Sequence, residues 1–128
     1  MVSSVHQFIL TLVARKMREI GFEPIAYDGD YNNLGLHKLN IPPKIINHRP
    51  DIMGINLRNE FCIGEVKTAN DIFSIRTKNQ FVDFLQFGNL IIGIPNNAKE
   101  ILISRLKSLN ILFNKNIILI EQLFLKYV

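Results

Sequence analysis

The chain has 128 residues with one cysteine, no tryptophan and no long apolar run. A single thiol, Cys62, cannot build an internal disulfide framework or a Cys-rich zinc site. A reducing setting is therefore expected, and any metal must be held by carboxylates or histidines. No stretch approaches the ~18 apolar residues of a membrane span, and the opening through Val5 and His6 lacks the basic-then-apolar order of a secretory signal. A soluble, cytoplasmic protein with no membrane partner is the expectation. Internal repeats, a Gly-rich phosphate loop, zinc-ligand spacing and a Ser-His-Asp arrangement are all missing from the sequence. Acidic residues are also scarce, 11 against 15 Lys and Arg, which leaves a net charge of +4. That mild bias suits a polyanionic partner but is no basic tail. AT-rich coding gives the same excess of Ile, Asn and Lys, so function has to be argued from a site.

What is present is enough for one globular domain over 1–128, with 48% of residues hydrophobic. Val5 to Ile20 predicts an amphipathic helix, with Val5, Phe8, Ile9, Leu12, Val13, Met17 and Ile20 at helical spacing. Ser4 and Gln7 have the form of a capping box, and Gly21 closes the helix before a strand over Glu23 to Tyr27. Asp28 to Arg49 carries turn residues without periodicity, a 22-residue connection of the length that usually has a function. Ser74 to Phe87 predicts a second helix stopped by Gly88, Leu90 to Ile94 a strand, and Ala98 to Leu109 a third helix. Ile111 to Phe113 and Ile117 to Ile120 read as short strands, and Glu121 to Val128 as a helical cover.

The chemistry falls on Asp51 to Leu57 and Phe61 to Lys67, which predict a tight hairpin across Arg58, Asn59 and Glu60. Placing Leu57 opposite Phe61 pairs Ile55 with Ile63, Met53 with Glu65, and Asp51 with Lys67. Asp51, Glu65 and Lys67 then project from one face at one end of the hairpin. Two carboxylates that close can share a hard cation, with an amine beside it. That grouping has a definite use in phosphodiester hydrolysis. A magnesium ion lowers the pKa of a bound water and neutralises phosphoryl charge, while the amine orients the water or stabilises the transition state. Asp51 after Pro50 also suits a plain turn acid, and Glu65 with Lys67 a charged strip on a solvent face.

Pro50-Asp51, thirteen intervening residues and Glu65-Val66-Lys67 resemble the PD-(D/E)XK nuclease signature. His48-Arg49-Pro50-Asp51-Ile52, Gly64-Glu65-Val66-Lys67-Thr68 and Gln80-Phe81-Val82-Asp83-Phe84 are similar to motifs of this superfamily, the last to its Q-h-x-x-Y helix pattern with Phe in place of Tyr. The resemblance spans most of the chain. It implies an α/β, restriction-endonuclease-like αβββαβ core with a mixed central sheet flanked by helices. It further implies Asp51, Glu65 and the Val66 carbonyl at the metal, Lys67 as a catalytic residue and Gln80 near the substrate phosphate.

Relatives such as archaeal Holliday-junction resolvases carry an acidic residue near the start of the first helix, and this helix has none there. Its one acid, Glu19, stands thirteen residues beyond His6, about 20 Å along a helix. His6 or Gln7 would take the acid's place, and His6 is preferred because it lies on the inward stripe with Ile9, Leu10 and Val13. Arg49, Lys44, Lys38 and His48 in the long connection are candidate nucleic-acid contacts, a role a solvated loop of the same composition would not need. Cys62 alternates away from Glu65 and reads as a small buried hydrophobe.

Together these readings give a Mg2+-dependent DNA endonuclease, with Mn2+ able to substitute and no other cofactor. Branched or structured DNA is one expected substrate. Cutting two strands with so small a chain needs two sites, so a homodimer is expected. A nucleic-acid-binding subunit that keeps the fold without turnover is the alternative.

Overall fold

The computed structural model describes residues 4–28 and 39–122. In chain order these form α1 (Ser4–Glu19), β1 (Glu23–Tyr27), β2 (Ile52–Ile55), β3 (Phe61–Val66), α2 (Ile75–Phe87), β4 (Asn89–Pro95), α3 (Lys99–Ser108) and β5 (Ile117–Gln122). The expected αβββαβ order is the order of the first six elements. The five strands lie side by side in sequence order. β2 runs antiparallel to both β1 and β3, and β3, β4 and β5 run parallel, so the sheet is mixed. A helix crosses over between each parallel pair, as parallel strands require.

Strand periodicity sorts the core onto the two faces of this sheet. Cys62, Val66 and Ile91 join Ile9, Leu10, Val13 and Met17 of α1 on one face; Met53, Ile63, Leu90, Ile92 and Ile94 pack with Phe81 and Phe84 of α2 and Leu102 and Leu106 of α3 on the other. α1 sits close because β3 and β4 present glycines to it. A Cβ on Gly64 would fall 2.6 Å from Val13 Cγ1, and one on Gly93 2.6 Å from both Ile9 Cγ2 and Val13 Cγ2. α1 ends as its sequence predicts: Gly21 takes a φ of 95°, its N–H bonds to the Arg18 carbonyl, and the Phe22 N–H reaches back to Met17. Ser74 caps α2, its hydroxyl accepting from the Thr77 N–H.

Several expectations are corrected. Ser4 already belongs to α1, so the first turn begins no later than the residue expected to cap it. Val5 and Phe8 are exposed, because the face α1 lays on the sheet is centred on Ile9, Leu10, Val13 and Met17. Residues 111–113 form turns instead of a strand, and Glu121 and Gln122 continue β5 instead of opening a helix; the remainder of that expected helix lies outside the described residues. The β2–β3 hairpin is shifted by two residues from the expected register: Ile55 faces Phe61 and Met53 faces Ile63. The cause is Asn56. Its side-chain carbonyl accepts the N–H groups of Arg58 and Glu60, and Asn59 adopts a φ of 62°, so the turn starts at Asn56 and is longer than the three residues expected. Among the described residues, no helix is long and apolar enough to cross a membrane.

Candidate active site

The corrected register, extended one pair, sets Asp51 opposite Glu65 in place of Lys67. A shift of two residues leaves every side chain on its original face, so Asp51, Glu65 and Lys67 still converge. Two hydrogen bonds lock the acids together. The Asp51 N–H donates to Glu65 Oε1 at 2.9 Å, and Asp51 Oδ2 accepts from the Val66 N–H at 2.8 Å.

Neither Glu65 nor Lys67 is a solvent-face residue, being 3% and 8% exposed. Lys67 Nζ lies 3.6 Å from Glu65 Oε2 and donates to Gln80 Oε1. Gln80 is buried, projecting from the inner side of α2 one turn before Phe84. The Lys67 main chain is pinned as well, its N–H bonding to the Gly93 carbonyl of β4. Burial pushes the Glu65 carboxyl well above its ordinary value, and the neighbouring charge of Asp51 pushes the same way, while Lys67 and the Asp51 N–H pull against them.

From the other side of the site comes α1. His6 Nε2 approaches Asp51 Oδ2 to 3.6 Å, so the residue preferred for the position of the missing helix acid does reach the carboxylate pair. Gln7 is buried beside it, and its carbonyl accepts the Thr11 hydroxyl.

The segment leading into Asp51 is held by more than its own chain. Ile45 and His48 form a two-way main-chain bridge around Ile46, a β-branched residue at a φ of 61°, a conformation such residues rarely adopt. His48 Nε2 lies 3.1 Å from Asp83 Oδ2, and the ring meets Phe84 edge-on. His48 is thus turned toward α2. Arg49 and Lys44 are exposed, as a contact to phosphate requires, and Lys38 lies outside the described residues. Asp83 is the residue the sequence reading missed. Its position three residues after Gln80, on the same side of α2, was the available signal.

The carboxylates of Asp51 and Glu65 supply the oxygen donors of this cluster. Magnesium takes such a set, keeping several of its waters, and a divalent ion would relieve the repulsion that raises the Glu65 carboxyl. Among the described residues, no group of three or more His, Cys, Asp or Glu side chains gathers to hold a metal. Protein ligands would accordingly be few, which leaves room for water and phosphate. Cys62 is fully buried on the α1 face, its thiol pushed up to about 12 by burial, which makes it a core residue and no nucleophile. A surface depression of about 590 Å³ around Lys107, Asn110 and Phe113 shares no residue with the cluster.

No family model matches the sequence, and no curated protein matches it. Among solved structures, the chain is similar over 95% of its length to a repair endonuclease from Pyrococcus abyssi, at 15% sequence identity and a TM-score of 0.47. The chain spans about half the length of that protein, 47%.

Proposed function

We propose that this chain is a Mg2+-dependent DNA endonuclease of the PD-(D/E)XK type, with Mn2+ able to substitute and a homodimer as the working unit. One observation carries the reading: the buried Glu65 carboxylate, which accepts the Asp51 main-chain N–H, the Asp51 carboxylate and the buried Lys67 amine meet at one end of the β2–β3 hairpin. Burying an acid and an amine beside a second, partly exposed acid is costly for stability alone, and a fold tolerates such a cluster where it serves chemistry.

Asp51, Glu65 and the Val66 carbonyl would hold the ion. When bound, magnesium supplies Lewis acidity toward a phosphoryl oxygen and makes a water more acidic. Lys67 lies where its ammonium can orient the attacking water and offset charge on the phosphoryl oxygens. Gln80 accepts a hydrogen bond from Lys67 and fixes the direction of that amine. His6 stands against Asp51 on the opposite flank and restrains its carboxylate. Arg49 and Lys44 are exposed cations of the segment that leads into Asp51 and are assigned to the sugar-phosphate backbone. Branched or structured DNA is the candidate substrate.

The test is cleavage of duplex, single-stranded and branched DNA with Mg2+, Mn2+ or EDTA, repeated with Glu65→Gln and Lys67→Ala. Metal-dependent cutting lost in both variants is the expected result. Salt-sensitive binding with no cutting under any metal would instead leave a nucleic-acid-binding subunit on a nuclease fold.

A further inference from the structure

A cleft of about 450 Å³ opens between the first turn of α1 and the loops that follow β3 and β4. Its walls include Val5, Thr68, Asn70, Pro95, Asn96 and Asn97. The cleft adjoins the carboxylate site through the chain itself: Val5 precedes His6, Thr68 follows Lys67, and Pro95 lies two residues beyond Gly93, whose carbonyl holds the Lys67 N–H. Resting on the nuclease reading above, we infer that this cleft receives an unpaired nucleobase next to the phosphate at Lys67, so that the preferred substrate carries an unstacked nucleotide at the cutting site.

The lining chemistry selects this ligand. No lining side chain is ionisable, so the cleft offers no charge to pair with a phosphate, a metal ion or a charged side chain. Three amides and a hydroxyl line it together with the apolar Val5, Ala69 and Pro95. An amide both donates and accepts, which is what the edge of a base presents. Asn70 and Asn97 are exposed and Asn96 is half-buried, so their amides can be reached by a ligand, while the Thr68 hydroxyl donates to Asp71 Oδ2 at 3.4 Å. The volume falls in the range of about 300–1,000 Å³ typical of small-molecule sites, ample for a heterocycle. A base within a duplex cannot enter such a recess without leaving its stack, and a base that is already unpaired enters at least cost.

Binding in EDTA separates this inference from catalysis. The probes are a labelled duplex, the same duplex with one unpaired thymidine, and the same duplex with an abasic residue at that position. Full-length protein is expected to bind the unpaired thymidine about tenfold more tightly than the abasic probe, the scale of one amide–base hydrogen-bonded pair. Asn97→Trp fills the mouth of the cleft from an exposed position and should erase that preference while leaving affinity for the paired duplex unchanged. Asn70→Ala should weaken the preference without filling space, which covers a failure of the larger substitution to fold. Equal binding of thymidine and abasic probes, or an intact preference in both variants, overturns the inference. Cleavage of the same probes in Mg2+ or Mn2+ tests the nuclease reading separately, since a base preference without cutting defeats that reading alone and cutting without a base preference defeats only the cleft.

Discussion

Asp51 and Glu65 are tied by a hydrogen bond from the main chain of one to the carboxyl of the other, 2.9 Å from the Asp51 nitrogen to Glu65 Oε1. The contact brings the Asp51 charge close to a buried carboxyl whose affinity for its proton is raised, first by desolvation and then by that charge. A carboxyl raised in the folded state binds its proton more tightly there than in the unfolded chain. The associated stability is complete below the ordinary value of 4.5 and is lost as pH climbs through the raised folded value. Metal-free protein should therefore melt at progressively lower temperature as pH rises from 4.5 towards the raised folded value, by up to about 1.4 kcal/mol per pH unit over that interval. Glu65→Gln should flatten the slope, and Mn2+ should raise the melting temperature most at the high-pH end, where the carboxyl is charged. Thermal unfolding across pH in EDTA checks this, and a flat or rising profile for the unsubstituted protein refutes it.

Gln80 is the acceptor that aims the Lys67 amine. Gln80→Ala leaves that buried ammonium with Glu65 at 3.6 Å as its remaining partner, free to swing toward it. Cleavage should drop about tenfold to a hundredfold in kcat with KM little changed, the scale seen when an outer partner of a site residue is lost. Gln80→Glu keeps an acceptor and should retain more activity than the alanine variant. A fall confined to KM would place Gln80 on the substrate phosphate, the role its motif implies.

The grouping of Asp51, Glu65 and Lys67 was legible because strand geometry has a period of two. An error of two residues in the turn, caused by the unrecognised Asn56 cap, exchanged the cross-strand partners but kept all three side chains on one face. Val5 and Phe8 were misplaced for the opposite reason. Helical spacing marks an apolar arc without fixing its centre, and here Gly64 and Gly93 decide which part of α1 meets the sheet. The contact between His48 and Asp83 joins residues 35 positions apart, across elements whose relative placement only the folded chain specifies. Periodicity has no access to such pairs.

Gly93→Ala tests how closely α1 must approach. The added methyl would lie 2.6 Å from Ile9 Cγ2 and Val13 Cγ2, well inside contact distance, in a core with no slack. A loss of about 1–3 kcal/mol is expected from such overpacking, together with reduced cleavage as the helix lifts and carries His6 away from Asp51. Val13→Ala in the same chain removes one of the two opposing methyls and should recover part of both losses. Additive losses in the double variant would show that the strain lies elsewhere.

Among the described residues, Asp83 reaches the site through His48, whose ring it holds three residues ahead of Asp51. Because Pro50 lies between them and is itself buried, freeing the imidazole should loosen the approach to Asp51 without removing any group that touches substrate. Asp83→Ala and His48→Ala should each destabilise the fold by about 1.5–3 kcal/mol, the scale of a hydrogen bond to a charged group, and the double variant should lose little more than either alone. Mn2+ affinity should weaken in parallel with the single losses, while Asp83→Asn, which still offers an acceptor, should preserve most of it. Independent, fully additive effects in that cycle would mean that His48 and Asp83 do not act as a pair, and unchanged Mn2+ affinity in Asp83→Ala would remove the link to Asp51.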